Sequence, residues 1–126
     1  MLRIPKVLYG AGLIALGALL PSLGSAPRPA PAGAIGMQHE KFTVETITIA
    51  RGQSVRFVND SGWLHVIGAG DDGRLGRQAG TPAMGQRGAF VSETNQEFVS
   101  GPWTTPGTYH ITCSLHPEMN LTVIVT

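Results

Sequence analysis

Apolar and polar residues alternate with a period of two along the C-terminal third of the chain, a pattern that predicts strands and not helices. From Thr108 to Cys113, Tyr109, Ile111 and Cys113 fall on one face, with His110 and Thr112 on the other. That parity aims Cys113 inward at a strand end and sends His110 to the surface. After Asn120 the alternation resumes, with Leu121, Val123 and Val125 inward.

Upstream the pattern is less regular. Phe42 to Ala50 is rich in β-branched residues, but its apolar parity changes: Phe42 and Val44 share one face, Ile47 and Ile49 the other. A bulge near Glu45-Thr46 would reconcile the halves and let one strand serve two sheets. Ser54 to Asn59 predicts a strand with Val55 and Phe57 on one face. Asn59-Asp-Ser-Gly62 is turn chemistry, and Trp63 to Ile67 is a short apolar strand with His65 at its middle. Glycines at 68, 70, 73, 76, 80, 85 and 88 predict long loops over 68–96, with one short strand at Ala89-Phe90-Val91. Glu97 to Val99 is a further strand, and Pro106-Gly107 a turn. Seven or eight short strands with Gly/Pro turns predict an all-β antiparallel sandwich.

The N-terminal segment reads differently. Arg3 and Lys6 precede an apolar or glycine run from Val7 to Leu20, followed by small residues Gly24 and Ala26. Residues 1–26 are therefore expected to be a signal peptide, or an uncleaved anchor that tethers the protein to a membrane through residues 7–20. Pro27 directly after Ala26 disfavours cleavage there and keeps the anchor reading open. Residues 27–36, PRPAPAGAIG, have the composition of an extended linker, and the folded domain is expected over 37–126. The expected location is periplasmic, extracellular or at the cell surface.

Composition narrows the function classes. Of 126 residues, 17 are Gly, 9 Pro and only 13% charged, with a net charge of +1. Without Arg3, Lys6 and Arg28, six Lys/Arg face eight Asp/Glu, so the domain is slightly acidic and no basic patch suggests nucleic acid. A monomer is expected. One cysteine permits no internal disulfide.

That cysteine opens the run Cys113-Ser-Leu-His116-Pro-Glu-Met119. Thiolate, imidazole and thioether form a soft to borderline ligand set that suits copper, whereas magnesium and calcium want oxygen and structural zinc rarely takes a thioether. A trigonal site of two imidazoles and one thiolate needs a second histidine, and His65 is available. Met84 is a gap-filling or exposed residue on this reading.

Pro106-Gly107-Thr-Tyr109-His-Ile-Thr-Cys113-Ser-Leu-His116-Pro-Glu-Met119, closed by a valine-rich strand, resembles the C-terminal half of the cupredoxins, the small blue-copper proteins. Its copper loop is of the short, amicyanin-like kind. The resemblance implies a Greek-key β-sandwich and one type 1 copper ion, with Cys113 as thiolate, His65 and His116 as imidazoles and Met119 as the axial thioether. Many members carry Asn directly after the first histidine; here Val66 stands there. The resemblance further implies a single-electron carrier and not an enzyme, whose redox partner docks near Leu115, His116 and Pro117, with Trp63 nearby. No His-x-His cluster is present for a trinuclear oxidase centre, and one cysteine cannot bridge a dinuclear one. Two rivals remain open: a copper-delivery protein that holds the ion without cycling it, and an exported adhesion module with an incidental thiol.

Overall fold

The computed structural model describes residues 32–85 and 87–126; the expected signal or anchor segment, and the linker up to Pro31, lie outside the described residues. Nine strands follow in order: β1 (Ala32–Met37), β2 (Thr46–Ile49), β3 (Val55–Asn59), β4 (His65–Asp71), β5 (Arg74–Leu75), β6 (Ala89–Val91), β7 (Glu97–Val99), β8 (Gly107–Cys113) and β9 (His116–Val125). Among the described residues there is no helix.

The strands form two sheets. The smaller runs β1-β3-β7, and the larger β2-β9-β8-β4-β5, with β6 also paired to β4. Most pairs are antiparallel as expected, but β1 pairs β3 and β2 pairs β9 in parallel, so both sheets are mixed. One apolar core lies between them. Val55 and Phe57 of the small sheet meet Ile67, Ile111, Leu121 and Val123 of the large one in a single buried cluster. From Met119 onward β9 alternates: Met119, Leu121, Val123 and Val125 are buried while Asn120, Thr122 and Ile124 between them are half-buried. Trp103 is enclosed at the edge of this core, its indole N–H donating to Ser100 Oγ at 3.0 Å. The Tyr109 hydroxyl donates to the Thr105 carbonyl at 2.7 Å and pins the entry to β8.

Three expectations need correction. The sheet begins at Ala32, inside the stretch that reads as linker, and Ile35 and Met37 belong to the core. Gly36 between them reads as flexibility but serves a close approach: a Cβ there would collide with the Asp60 carboxylate and with Thr43 Cγ2. Its amide donates to Thr43 Oγ1 at 2.9 Å, and the Thr43 amide returns a bond to the Gly36 carbonyl.

The Phe42–Ala50 segment is not one strand. Phe42 bridges Met37 on the small-sheet side, Val44 is exposed, and only Thr46–Ile49 join the large sheet beside β9. The change of parity marks the crossing between sheets.

Nor does the strand at His65 stop at Ile67; it runs on through Gly68 and Gly70 to Asp71 and returns as β5. The turn is Asp72-Gly73, with φ of 48° and 77°. Positive φ at both positions is the type I′ geometry that matches the twist of a two-residue hairpin. Its amides are tied to the β8–β9 pair: Asp72 N–H donates to Asn120 Oδ1 and Gly73 N–H to Thr112 Oγ1, both at 2.9 Å. Thr112, expected outward, is consequently buried, and its hydroxyl donates to the Met119 carbonyl at 2.9 Å.

Candidate metal centre

The β8–β9 hairpin turns tightly through Ser114-Leu115, pairing Cys113 with His116. β4 runs antiparallel beside β8 with Ile67 opposite Cys113, which brings His65 at the start of β4 to the same end of the sheet. The Ser114 amide donates to the Val66 carbonyl at 2.9 Å and locks the hairpin to β4. The backbone at Val66 thus links the two segments that carry the predicted ligands.

Three predicted ligands meet there. Potential donor atoms of His65, Cys113 and His116 all lie within 4.8 Å of one another. Cys113 Sγ is 3.5 Å from His116 Nδ1 and 3.9 Å from His65 Nδ1. Donors about 2.0–2.3 Å from a shared ion can be no more than about 4.6 Å apart, and both distances satisfy that limit. Two imidazole nitrogens converging on one sulfur fit a borderline or soft metal of the copper or zinc kind, and not a hard oxygen-seeking cation. Cys113 and His65 are fully buried and His116 is half-buried, so the cluster touches solvent only through His116. Met119 is fully buried three residues beyond His116 on the inward row of β9, its carbonyl held by Thr112.

Burial, followed by the neighbouring His116 and His39 imidazoles, lowers the pKa of His65 from 6.5 to about 4, against a weaker opposing pull from Asp60. At neutral pH His65 is therefore uncharged, the form in which imidazole binds metals.

His110 is on the outer side, 3.5 Å from Asp71. Met84 is buried in the wall of a separate cavity of about 630 Å³ lined by Gly68, Leu75 and Thr81. His39, scattered in sequence, stacks on Trp63 and meets the His116 ring edge-on. Ser61 belongs to the turn chemistry of Asn59-Asp-Ser-Gly62, yet its hydroxyl sits 3.0 Å from His65 Nε2.

No family model and no curated protein matches the sequence. Solved structures do match. Amicyanin from Paracoccus versutus (Thiobacillus versutus) is 24% identical, over 78% of this chain and 84% of that one, with a TM-score of 0.58. A reduced tryptophan-to-tyrosine mutant of amicyanin is 22% identical over 78% and 85%, with a TM-score of 0.59. The reduced Cu(I) form, at pH 4, of a proline-to-glycine mutant of amicyanin is 24% identical over 74% and 80%, with a TM-score of 0.57. The fold, then, is similar to the β-sandwich of amicyanin, with His65, Cys113 and His116 gathered at one end of the larger sheet.

Proposed function

We propose that this chain is a mononuclear type 1 copper protein that carries single electrons outside the cytoplasm, with His65, Cys113, His116 and Met119 as ligands. The observation that carries the reading is the convergence of His65 Nδ1 and His116 Nδ1 on the buried Cys113 sulfur. The Cu(I) in one of the amicyanin structures of the same fold supports the choice of metal. Bound copper would supply a one-electron Cu(II)/Cu(I) couple.

The chain's own residues do the rest. Three donors on one hairpin and a fourth on β4 hold a nearly fixed arrangement, and a weak axial thioether from Met119 suits a geometry between the preferences of the two oxidation states. Little rearrangement then accompanies electron transfer. Burial of Cys113 and Met119 keeps water from the sulfurs, while half-buried His116 provides the path to the surface.

A redox partner would dock on that path. Leu115 is 49% and Trp63 54% exposed and Pro117 is also open; Leu115 and Pro117 flank His116 in the chain, and Trp63 reaches it through the stacked His39 ring. Exposed apolar residues around a functional group are a feature of transient interaction sites. Residues 1–26 would export the domain or anchor it through residues 7–20.

Protein reconstituted with one equivalent of copper should show reversible one-electron voltammetry and retain the metal in both states. Release of Cu(I) to a moderate chelator on reduction, without reversible cycling, would point to copper delivery instead.

A further inference from the structure

A chain of side-chain hydrogen bonds leads from the protein body to the far side of the His65 ring. Asn59, fully buried at the end of β3, has every hydrogen-bonding position filled. Its Nδ2 donates to the carbonyls of Trp63 at 2.8 Å and Val91 at 3.4 Å. Its Oδ1 accepts from the Ser61 amide at 3.0 Å and the Ser61 hydroxyl at 2.7 Å. Those partners leave the Asn59 amide only one orientation.

The orientation determines what Ser61 can do. A serine hydroxyl has one proton and two lone pairs, and its proton is committed to Asn59 Oδ1. One lone pair takes the Trp63 amide at 3.3 Å. The other faces His65 Nε2 at 3.0 Å and can only accept. His65 must then carry its ring proton on Nε2, leaving the Nδ1 lone pair directed at Cys113 Sγ. The relay is clamped from the β6–β7 turn, where Asn95 N–H donates to the Asn59 carbonyl and Thr94 Oγ1 to the Ser61 carbonyl at 3.1 Å.

We infer that Ser61, oriented by Asn59, is a positioning residue that fixes the tautomer and the angle of His65 so that Nδ1 is presented to the metal before any metal arrives. The inference rests on the copper reading for its purpose, but not for its geometry. Partners on the distal nitrogen of a metal-binding histidine orient the ring and raise its basicity, and their loss typically weakens metal binding by about 10- to 100-fold.

Two-bond ¹H–¹⁵N correlation spectra of the metal-free protein at neutral pH test the geometry. Wild type should show His65 protonated on Nε2 alone, with slow exchange of that proton. Ser61→Ala should show mixed tautomers and bind Cu(I) about 10- to 100-fold more weakly in chelator competition, while Ser61→Thr, which keeps the hydroxyl, should restore both properties. A wild-type proton on Nδ1 would overturn the inference without any variant. So would a Ser61→Ala protein with the wild-type tautomer and an affinity within about twofold of wild type, well short of the loss of about 10- to 100-fold just given. The tautomer is read without metal, so a chain that keeps the Nε2 proton but takes up no copper would overturn the functional reading alone.

Discussion

The imidazole of His39 lies flat against the indole of Trp63, with centroids 4.0 Å apart and planes 6° from parallel. The same imidazole meets His116 edge-on at 5.2 Å and 83°. β1 and the 38–41 turn that follows it thus reach the His65–Cys113–His116 cluster through one side chain. Stacked aromatic pairs contribute about 0.5–1.5 kcal/mol beyond their burial, enough to order a surface ring but not to hold the fold. Trp63→Ala should therefore leave the urea midpoint nearly unchanged while altering the mobility of the His116 ring and slowing electron self-exchange. Trp103→Ala, which empties an enclosed core position, should cost about 3–5 kcal/mol. Equal stability losses in the two variants would contradict these assigned roles.

The Asp72-Gly73 turn connects β4 to the site from the other side. Gly73 has φ of 77°, and a Cβ there would come within 3.1 Å of Pro117. Left-handed backbone costs a residue with a Cβ about 1–2 kcal/mol, and Pro117 directly follows a proposed ligand. Gly73→Ala should lower stability by about that amount and perturb the His116 resonances. Gly76→Ala, where a Cβ would meet nothing within 4 Å, should do neither.

His65 gives the metal-free protein a pH dependence of definite sign. Its pKa is about 4 in the folded chain, well below the ordinary 6.5 of a free imidazole. Between these values the unfolded chain binds the proton and the folded chain does not, so stability falls as pH falls. Its contribution should be constant above about pH 6.5, decline through the interval, and level off below the folded pKa. Urea midpoints of metal-free wild type and His65→Gln, measured from pH 7.5 down to 4.5, isolate this effect from the carboxylates. A variant with the same pH slope as wild type would show that His65 is not the group responsible.

Met119 can be tested through the potential. Met119→Gln places a harder oxygen on the axis and should lower the reduction potential, whereas Met119→Leu should raise it. Unchanged potentials in both variants would remove Met119 from the ligand set.

How much of this was legible depended on how regular each stretch is. In β8 the apolar residues Tyr109, Ile111 and Cys113 recur at every second position, and in β9 burial alternates from Met119 onward. The inward aim of Cys113 and of the β9 core row could therefore be read directly, although Thr112, between Ile111 and Cys113, is buried too. β1 was hidden because only Ile35 and Met37 face the core, separated by a glycine needed for contact with Asp60 and Thr43. The length of β4 was hidden by Gly68 and Gly70, although Asp72-Gly73 beyond them is a strong hairpin signal. The three clustered residues His65, Cys113 and His116 could be named from chemistry and resemblance. Ser61 and His39 could not, because what distinguishes them is proximity created by the fold.

The central claim is most directly tested by adding Cu(II) to the metal-free protein and recording its visible absorption and EPR spectra beside those of Cys113→Ser. Wild type should bind one copper and develop an intense blue sulfur-to-copper charge-transfer band with the narrow hyperfine splitting of a type 1 centre. Cys113→Ser should remain folded and lack the band, because a serine oxygen cannot supply a copper–thiolate bond. A colourless wild type, or a blue band that survives in Cys113→Ser, would contradict the account.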